Sequence, residues 1–391
     1  MVQLLLTVLG GDASAQKNGE KGRAVQRINC YHINARLSQG SADIGRIRPM
    51  KVGLLISYCI RAIVCRFRFH IKNFYYIPAP PTRSALYRDW IVMLLCRPFF
   101  KCLILHWQAA GLGEWLDAKA APWERAISRV LFKSPDLSIV LGEFNRPDAV
   151  ALHSRQVQVI ANAVSDPCPD FDLSLRTRRE VRAALREQLL AGKSPERLAA
   201  AGENWNIFEV LFISLCYSEK GLFDAIEAIR LANEKLQDGL RVRLTVAGAF
   251  YIDSERVQFN ERLSRSDLQR GGPLVRYVGF VSRKEKDELF RNSDCLCFPT
   301  YYRAEGFPLV LAEAMAYALP IVTTNWRTIP DIMPPGYSGI VRPRSPLQIA
   351  DALISAAVER AACLREYFLA RYTSDIFRQK IETVLLEIDK K

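Results

Sequence analysis

The feature that most constrains the fold is a regular alternation of strand-like and helix-like segments through the second half of the chain. Residues 207–214 are an apolar, β-rich run, and 219–236 set Leu222, Ile226, Ile229 and Ala232 on one helical face before Asp238-Gly239. Residues 240–247 alternate Val242, Leu244 and Val246 as a strand, and 254–270 read as a polar helix closed by Gly271-Gly272. Strands follow at 274–280, 295–299, 321–324 and 340–342, separated by helices at 283–292, 308–317 and 346–360. Such an order implies a parallel sheet covered by helices on both faces. Ligands of these sheets bind outside the carboxyl ends of the strands.

The same pattern is weaker earlier, with strands at 73–77, 102–106, 137–141 and 157–160 and helices around 87–95 and 122–132. The fold class is therefore α/β with two domains, which suits 391 residues. We expect an N-terminal domain at 1–168 and a connector at 169–205 with a surface helix near 178–191. A C-terminal domain at 206–362 and helices at 363–391, crossing back to the N-terminal domain, complete the division.

Composition narrows the function classes. The chain is 49% hydrophobic and 24% charged, as in ordinary globular proteins. Its ten cysteines have no C-x-x-C spacing, and Cys295 and Cys297 read as buried thiols or one inward pair. That usage fits a reducing compartment and no zinc site. The four histidines are scattered, so no metal site is expected. Net charge is +13, and residues 1–150 hold 21 Lys and Arg against 10 Asp and Glu. A basic first half favours anionic partners, among them a membrane surface, or is a generic solubilising surface. No nucleic-acid motif accompanies it, which disfavours nucleic acid. Residues 52–60 and 90–96 are the longest apolar stretches, short of the about 18 residues of a span. Both could rest on a membrane surface. The apolar start, residues 1–9, lacks a charged leader and reads as a helix.

Two carboxylates, Glu305 and Glu313, flank a Gly306-Phe307-Pro308 turn that opens an apolar run. Glu305 falls in a loop and Glu313 inside the following helix. Pro308 suits the first helical turn. The free N–H groups of Leu309 and Val310 then form an anion site at the helix start. A nucleotide diphosphate-sugar needs such an arrangement, phosphates on the backbone and hydroxyls on the carboxylates. Glu before a Pro-led helix is also common for helix-dipole reasons alone.

Four stretches in order sharpen the reading. They are 212–221 with Lys220-Gly221 before a helix, 275–281 with Val278-Gly279, 293–300, and the Glu305 segment extended through 320–322, 329–330 and 336–339. Together they resemble the donor domain of the retaining, GT-B-fold glycosyltransferases of family 4, the "glycosyl transferases group 1". The first half is similar more loosely, at 102–115, 137–143 and 159–166. The resemblance implies two Rossmann-like domains facing across a cleft, the first binding acceptor and the second donor. It implies front-face transfer of a hexose to a glycan or lipid-linked acceptor, with no obligatory metal or cofactor, in surface polysaccharide biosynthesis. Location would be cytoplasmic, or peripheral on the inner face of the cytoplasmic membrane.

Carried over residue by residue, the resemblance makes Glu305 the first Glu of the E-x7-E motif, near the donor sugar, and Glu313 the second, on ribose hydroxyls. Gly306, Phe307, Pro308, Leu309 and Val310 become the turn that meets sugar and diphosphate. Lys220 becomes the cation on the β-phosphate, a sensible point charge for a departing diphosphate. Val278 and Gly279 suit backbone contact to the base or plain core packing. His106, closing an apolar strand, would serve the hexose from a cleft-facing strand end, or be structural. Asn162 matches a hinge residue, with a turn role as the alternative.

The chain also departs from the family. Where many members have Gly-Arg stand Ser214-Leu215, so a phosphate cation is missing, and Arg303 is the candidate substitute. The opening strand and Gly-rich loop are expected to be missing, since residues 1–26 do not read as either. An alternative reading is thus a catalytically degenerate sugar-nucleotide-binding protein.

Overall fold

The computed structural model describes residues 28, 30–35, 37, 49–171, 173–195, 201–236, 239–269, 272–359 and 363–389. The helix expected over residues 1–9 and the stretch to 26 lie outside the described residues. The chain divides into two units, Met1–Ala163 with Ala304–Phe307 and Ser374–Lys391, and Val164–Arg303 with Pro308–Thr373.

The first unit runs α1 (Pro49–Arg68), β1 (Asn73–Tyr76), α2 (Arg83–Cys96), β2 (Cys102–His106), α3 (Leu112–Ala118), α4 (Pro122–Leu131), β3 (Leu137–Val140), α5 (Arg146–Ala151) and β4 (Val157–Val159). Its sheet has the order β1-β2-β3-β4, and every pairing is parallel.

The second unit opens with α6 (Leu173–Leu190) and continues β5 (Ile207–Ile213), α7 (Leu222–Lys235), β6 (Arg241–Ala247), α8 (Asp253–Leu263), β7 (Val275–Gly279), α9 (Arg283–Asn292) and β8 (Cys295–Phe298). It ends with α10 (Leu309–Ala316), β9 (Ile321–Thr324), α11 (Ile329–Ile332), β10 (Ile340–Val341), α12 (Pro346–Ala356) and α13 (Cys363–Arg371). The order is β10-β9-β8-β5-β6-β7, again all parallel. The last helix, α14 (Ser374–Asp389), belongs to the first unit.

Burial on both sheet faces explains the apolar strands. In β2, Leu103 and Leu105 pack with Leu86 and Met93 on one face. Ile104 packs with Ile139, Phe377 and Ile381 on the other, under α14. In the second unit β5, β6 and β8 meet α7 and α12 through Phe208, Val210, Leu244, Cys297, Ile226 and Leu353. All ten cysteines are free thiols, and Cys295 and Cys297 are buried singly in β8. The polar helix expected over 254–270 stops at Leu263, where Ser266–Leu268 turns as a short 3-10 helix.

Helix α6 is built into the second unit rather than lying on the surface. Ala183, Leu185 and Arg186 are buried. Arg186 donates to Asp294 at 2.7 Å and to the carbonyls of Trp205 at 2.8 Å and Ile207 at 3.0 Å. Arg182 also faces Asp294, at 3.4 Å, and the same carboxylate accepts the Glu209 N–H at 3.1 Å. Arg179 donates to the carbonyls of Phe290 and Tyr317, at the ends of α9 and α10, where a cation opposes the helix dipole. Burial pulls the Arg179 guanidinium down to about 10. Arginines that read as a solvated face in sequence thus bind helix ends and one buried carboxylate.

Removing the shared carboxylate strands two arginines. Asp294→Ala should cost about 3–5 kcal/mol in urea unfolding. Asp351→Ala, which breaks an exposed pair with Lys235, should cost less than about 1 kcal/mol.

Candidate functional site

Strands β5 and β8 are neighbours, with Val210 opposite Cys295 and Leu211 opposite Leu296. From β5 the chain winds outward to β6 and β7, and from β8 it winds the other way to β9 and β10. The strand order therefore reverses between β5 and β8. Loops that leave such a pair in opposite directions open a crevice at their carboxyl ends.

The two loops at this point are fastened to each other. The Glu219 carbonyl accepts the Tyr301 N–H at 2.8 Å and the Thr300 hydroxyl at 3.3 Å. Gly221, the residue before α7, has φ 79°, and a Cβ there would stand 2.2 Å from the Pro299 carbonyl oxygen. Only glycine satisfies both the left-handed backbone and the close approach. Lys220 is thereby held beside the loop after β8. Its Nζ lies 4.6 Å from the Tyr302 ring centroid and 5.7 Å from that of Phe298. Aromatic faces attract an ammonium and fix its direction.

The loop after β8 ends at Pro308, which is the N-cap of α10 rather than its first residue. The helix begins at Leu309, so the N–H groups of Leu309 and Val310 belong to its first turn and have no partner within the helix. Glu313 lies one turn further on, and Lys286 of α9 reaches it at 2.6 Å. Lys286 joins the candidate residues through this pair, and sequence reasoning missed it. Its local signal is a helix start, where Ser282 and Glu285 form a capping box. Nothing in the spacing announces a partner on α10.

Glu305 is buried at 7% exposure. Residues 304–307 group with the first unit, where a Cβ on Gly306 would stand 2.3 Å from the Gln108 carbonyl oxygen. Gln108 in turn pairs with Asn162. Asn162 Nδ2 donates to Gln108 Oε1 at 2.9 Å, and Gln108 Nε2 faces Asn162 Oδ1 at 3.4 Å. The Asn162 side chain is thus engaged across to Gln108, one residue before the first unit ends at Ala163.

His106 departs from the expectation of a cleft-facing strand end. It is the last residue of β2, and alternation with Ile104 turns it to the face covered by α14. It is fully buried, stacked 6.5 Å from the Phe377 ring. Nδ1 bonds the Tyr75 hydroxyl, and Nε2 meets Gln108 Nε2 at 2.9 Å. Since Gln108 Nε2 can only donate, the arrangement makes His106 Nε2 the acceptor and leaves the proton on Nδ1. Burial pulls the imidazole down to about 3, so it is neutral at physiological pH. His106 reaches the Gly306 turn through Gln108 and has no free ring nitrogen of its own.

The remaining candidates sit around the second sheet's carboxyl edge. Ser214 follows β5, donates its N–H to the Ala247 carbonyl at 3.1 Å, and abuts Gly248, where a Cβ would stand 1.8 Å from the Ser214 oxygen. Val278 and Gly279 close β7 half-buried, and the Gly279 carbonyl accepts the Gly248 N–H at 2.8 Å. Their partial exposure departs from plain core packing. Arg303 is exposed in the loop between Tyr302 and Glu305.

With this geometry in place, similarity to known proteins is specific. Residues 196–366 match the family of glycosyl transferases group 1. The amylovoran biosynthesis glycosyltransferase AmsK of Erwinia amylovora is 29% identical over 44% of this chain and 40% of its own. Glycogen synthase of Mycobacterium tuberculosis is 30% identical over 46% of this chain and 42% of its own. The chain thus spans about two fifths of the length of these curated relatives. Among solved structures, Anabaena HepE in complex with UDP aligns with TM-score 0.60 at 17% identity, covering 86% of this chain and 82% of that one. Sucrose-phosphate synthase of Thermosynechococcus elongatus aligns with TM-score 0.60 at 15% identity, covering 88% and 81%. The fold is that of the GT-B glycosyltransferases, α/β with two parallel sheets.

The group 1 match contains Ser214, Lys220, Val278, Gly279, Lys286, Arg303, Glu305 and Glu313, whereas His106 and Asn162 lie outside it. Among the described residues, no three His, Cys, Asp or Glu side chains are grouped to hold a metal ion.

Two outcomes follow from the packing. Gly221→Ala should cost more than about 2 kcal/mol, since it combines a left-handed backbone with a backbone clash, and urea unfolding would read this. For His106, the unfolded chain takes up a proton below about pH 6.5 that the folded imidazole refuses until about pH 3. Its contribution is present above pH 6.5 and is lost as pH falls, at up to about 1.4 kcal/mol per pH unit. His106→Phe should remove that part of the slope between pH 6 and pH 4, as measured by urea unfolding at stepped pH.

Proposed function

We propose that the protein is a retaining glycosyltransferase that moves a hexose from a nucleotide diphosphate-sugar to a glycan or lipid-linked acceptor, in polysaccharide or glycoconjugate biosynthesis. One observation carries the reading. Lys220 and the loop leading to Glu305 and Glu313 are fastened together where the strand order reverses, at Glu219, Gly221 and Pro299. The Anabaena HepE neighbour was solved with UDP and with UDP-glucose, and relatives are named for amylovoran and colanic acid biosynthesis, which supports a sugar-nucleotide donor.

In this proposal the diphosphate lies against the N–H groups of Leu309 and Val310, with the Lys220 ammonium on the departing β-phosphate. As the bond to the sugar breaks, negative charge grows on the diphosphate, and a fixed cation with aligned dipoles stabilises it. These groups do the work a metal would otherwise do. Glu313 accepts the ribose hydroxyls while Lys286 holds it in place. Glu305 lies near the donor hexose. Gln108, oriented by His106 and Asn162, positions the Gly306 turn, and His106 is a positioning residue. Arg303 adds a second positive charge for the diphosphate, and Val278 and Gly279 offer backbone atoms to the base. The first unit would hold the acceptor.

Purified protein offered a panel of nucleotide-sugars and acceptors should yield a glycoside detected by mass, with the donor's anomeric configuration by NMR. Glu305→Ala and Lys220→Ala should each lower kcat by about 10²–10³. Arg303→Ala should weaken donor binding, and Lys286→Met should raise donor KM with little change in kcat. Donor binding without any transfer or hydrolysis would instead assign a sugar-nucleotide-binding protein.

A further inference from the structure

Helix α1 is apolar around most of its circumference, yet only Leu55 and Cys59 of its described side chains are buried in the first unit's core. Val52, Ile56, Ile60, Val64 and Phe67 follow at i, i+4, i+8, i+12 and i+15, which places them on one stripe. All five are exposed, Ile60 at 55%, Val64 at 52% and Phe67 at 60%. The stripe continues past the helix, because the Phe67 ring meets the Phe99 ring edge-on at 6.1 Å and Phe99 is itself exposed. A soluble surface rarely leaves a contiguous apolar patch of this kind without a use.

The charges on α1 and in the sequence that flanks it have one sign. Between Asp43 and Asp89 the sequence contains no Asp or Glu. On and after α1 stand Lys51, Arg61, Arg66, Arg68 and Lys72. At about 100° per residue, Arg61 and Arg68 fall at one edge of the stripe, and both are exposed. An apolar face edged by cations, on a stretch of sequence that holds no carboxylate, matches the boundary between acyl chains and acidic headgroups. The helix lies on such a surface rather than crossing it. With four charges in 20 residues it is not apolar enough to span, and among the described residues no helix is.

We propose that α1 and Phe99 form a docking surface for an anionic phospholipid bilayer, with the apolar stripe sunk among the acyl chains and Arg61 and Arg68 on phosphate headgroups. This surface shares no residue with the candidate sugar-nucleotide site, and its test needs no donor. It would bring a lipid-linked acceptor within reach of the first unit.

The full chain is sedimented with vesicles of phosphatidylcholine alone and of phosphatidylcholine with phosphatidylglycerol. The expected result is binding to the anionic vesicles that weakens with added salt. Ile60→Glu with Phe67→Glu should abolish binding, and Arg61→Glu with Arg68→Glu should weaken it by at least about tenfold. Circular dichroism checks that both variants keep the wild-type spectrum. Equal binding to both vesicle types, no binding to either, or unchanged binding by the Ile60 and Phe67 variant would overturn the proposal. If the free protein is a dimer by light scattering and that variant is a monomer, the patch belongs to a second copy instead.

Discussion

The second unit depends on β5 and β8 lying side by side while the chain winds away from them in opposite directions. The placement of Lys220, the loop after β8 and the start of α10 hangs on that adjacency. The contact is closed mostly by backbone, with Gly221 against the Pro299 carbonyl and the Glu219 carbonyl taking the Tyr301 N–H and the Thr300 hydroxyl from the neighbouring loop. Side chains can then be chosen for chemistry. Lys220 is aimed by the faces of Tyr302 and Phe298, and Glu313 is braced by Lys286. A fixed cation and a fixed carboxylate at one sheet edge suit a ligand with a diphosphate at one end and hydroxyls at the other.

Much of the fold was legible in the chain because parallel strands are buried on both faces. The run Cys295–Phe298 has no polar position, and every one of its residues is buried. Helix 283–292 and strands 102–106 and 321–324 end where capping, charge and turn residues say they should. Helix α1 was read only as an apolar stretch at 52–60, since the cations that mark its other face, Arg61, Arg66 and Arg68, lie beyond that stretch. The charged segment that became α6 misled in the other direction. Its arginines look solvated until Asp294 and the ends of α9 and α10 are placed around them.

The site was legible by residue type and less so by partner. Glu305 and Glu313 could be picked as candidates from local spacing, because a loop, a proline and a helix start are local events, whereas Lys220 rests on family resemblance. Lys286 could not, because its partner lies on a different helix. His106 shows the limit most clearly. A histidine at a strand end looks available, but which face it takes depends on strand alternation and on α14, contributed from the far end of the chain. Burial then makes it a neutral imidazole whose contact with the Gly306 turn runs through Gln108.

The most direct measurement is a crystal structure with a nucleoside diphosphate soaked or co-crystallised. The account predicts the diphosphate at the carboxyl ends of β5 and β8, with an oxygen on Lys220 Nζ, others on the N–H groups of Leu309 and Val310, and the ribose on Glu313. A nucleotide bound away from this edge, or one there that touches neither Lys220 nor the start of α10, would contradict it.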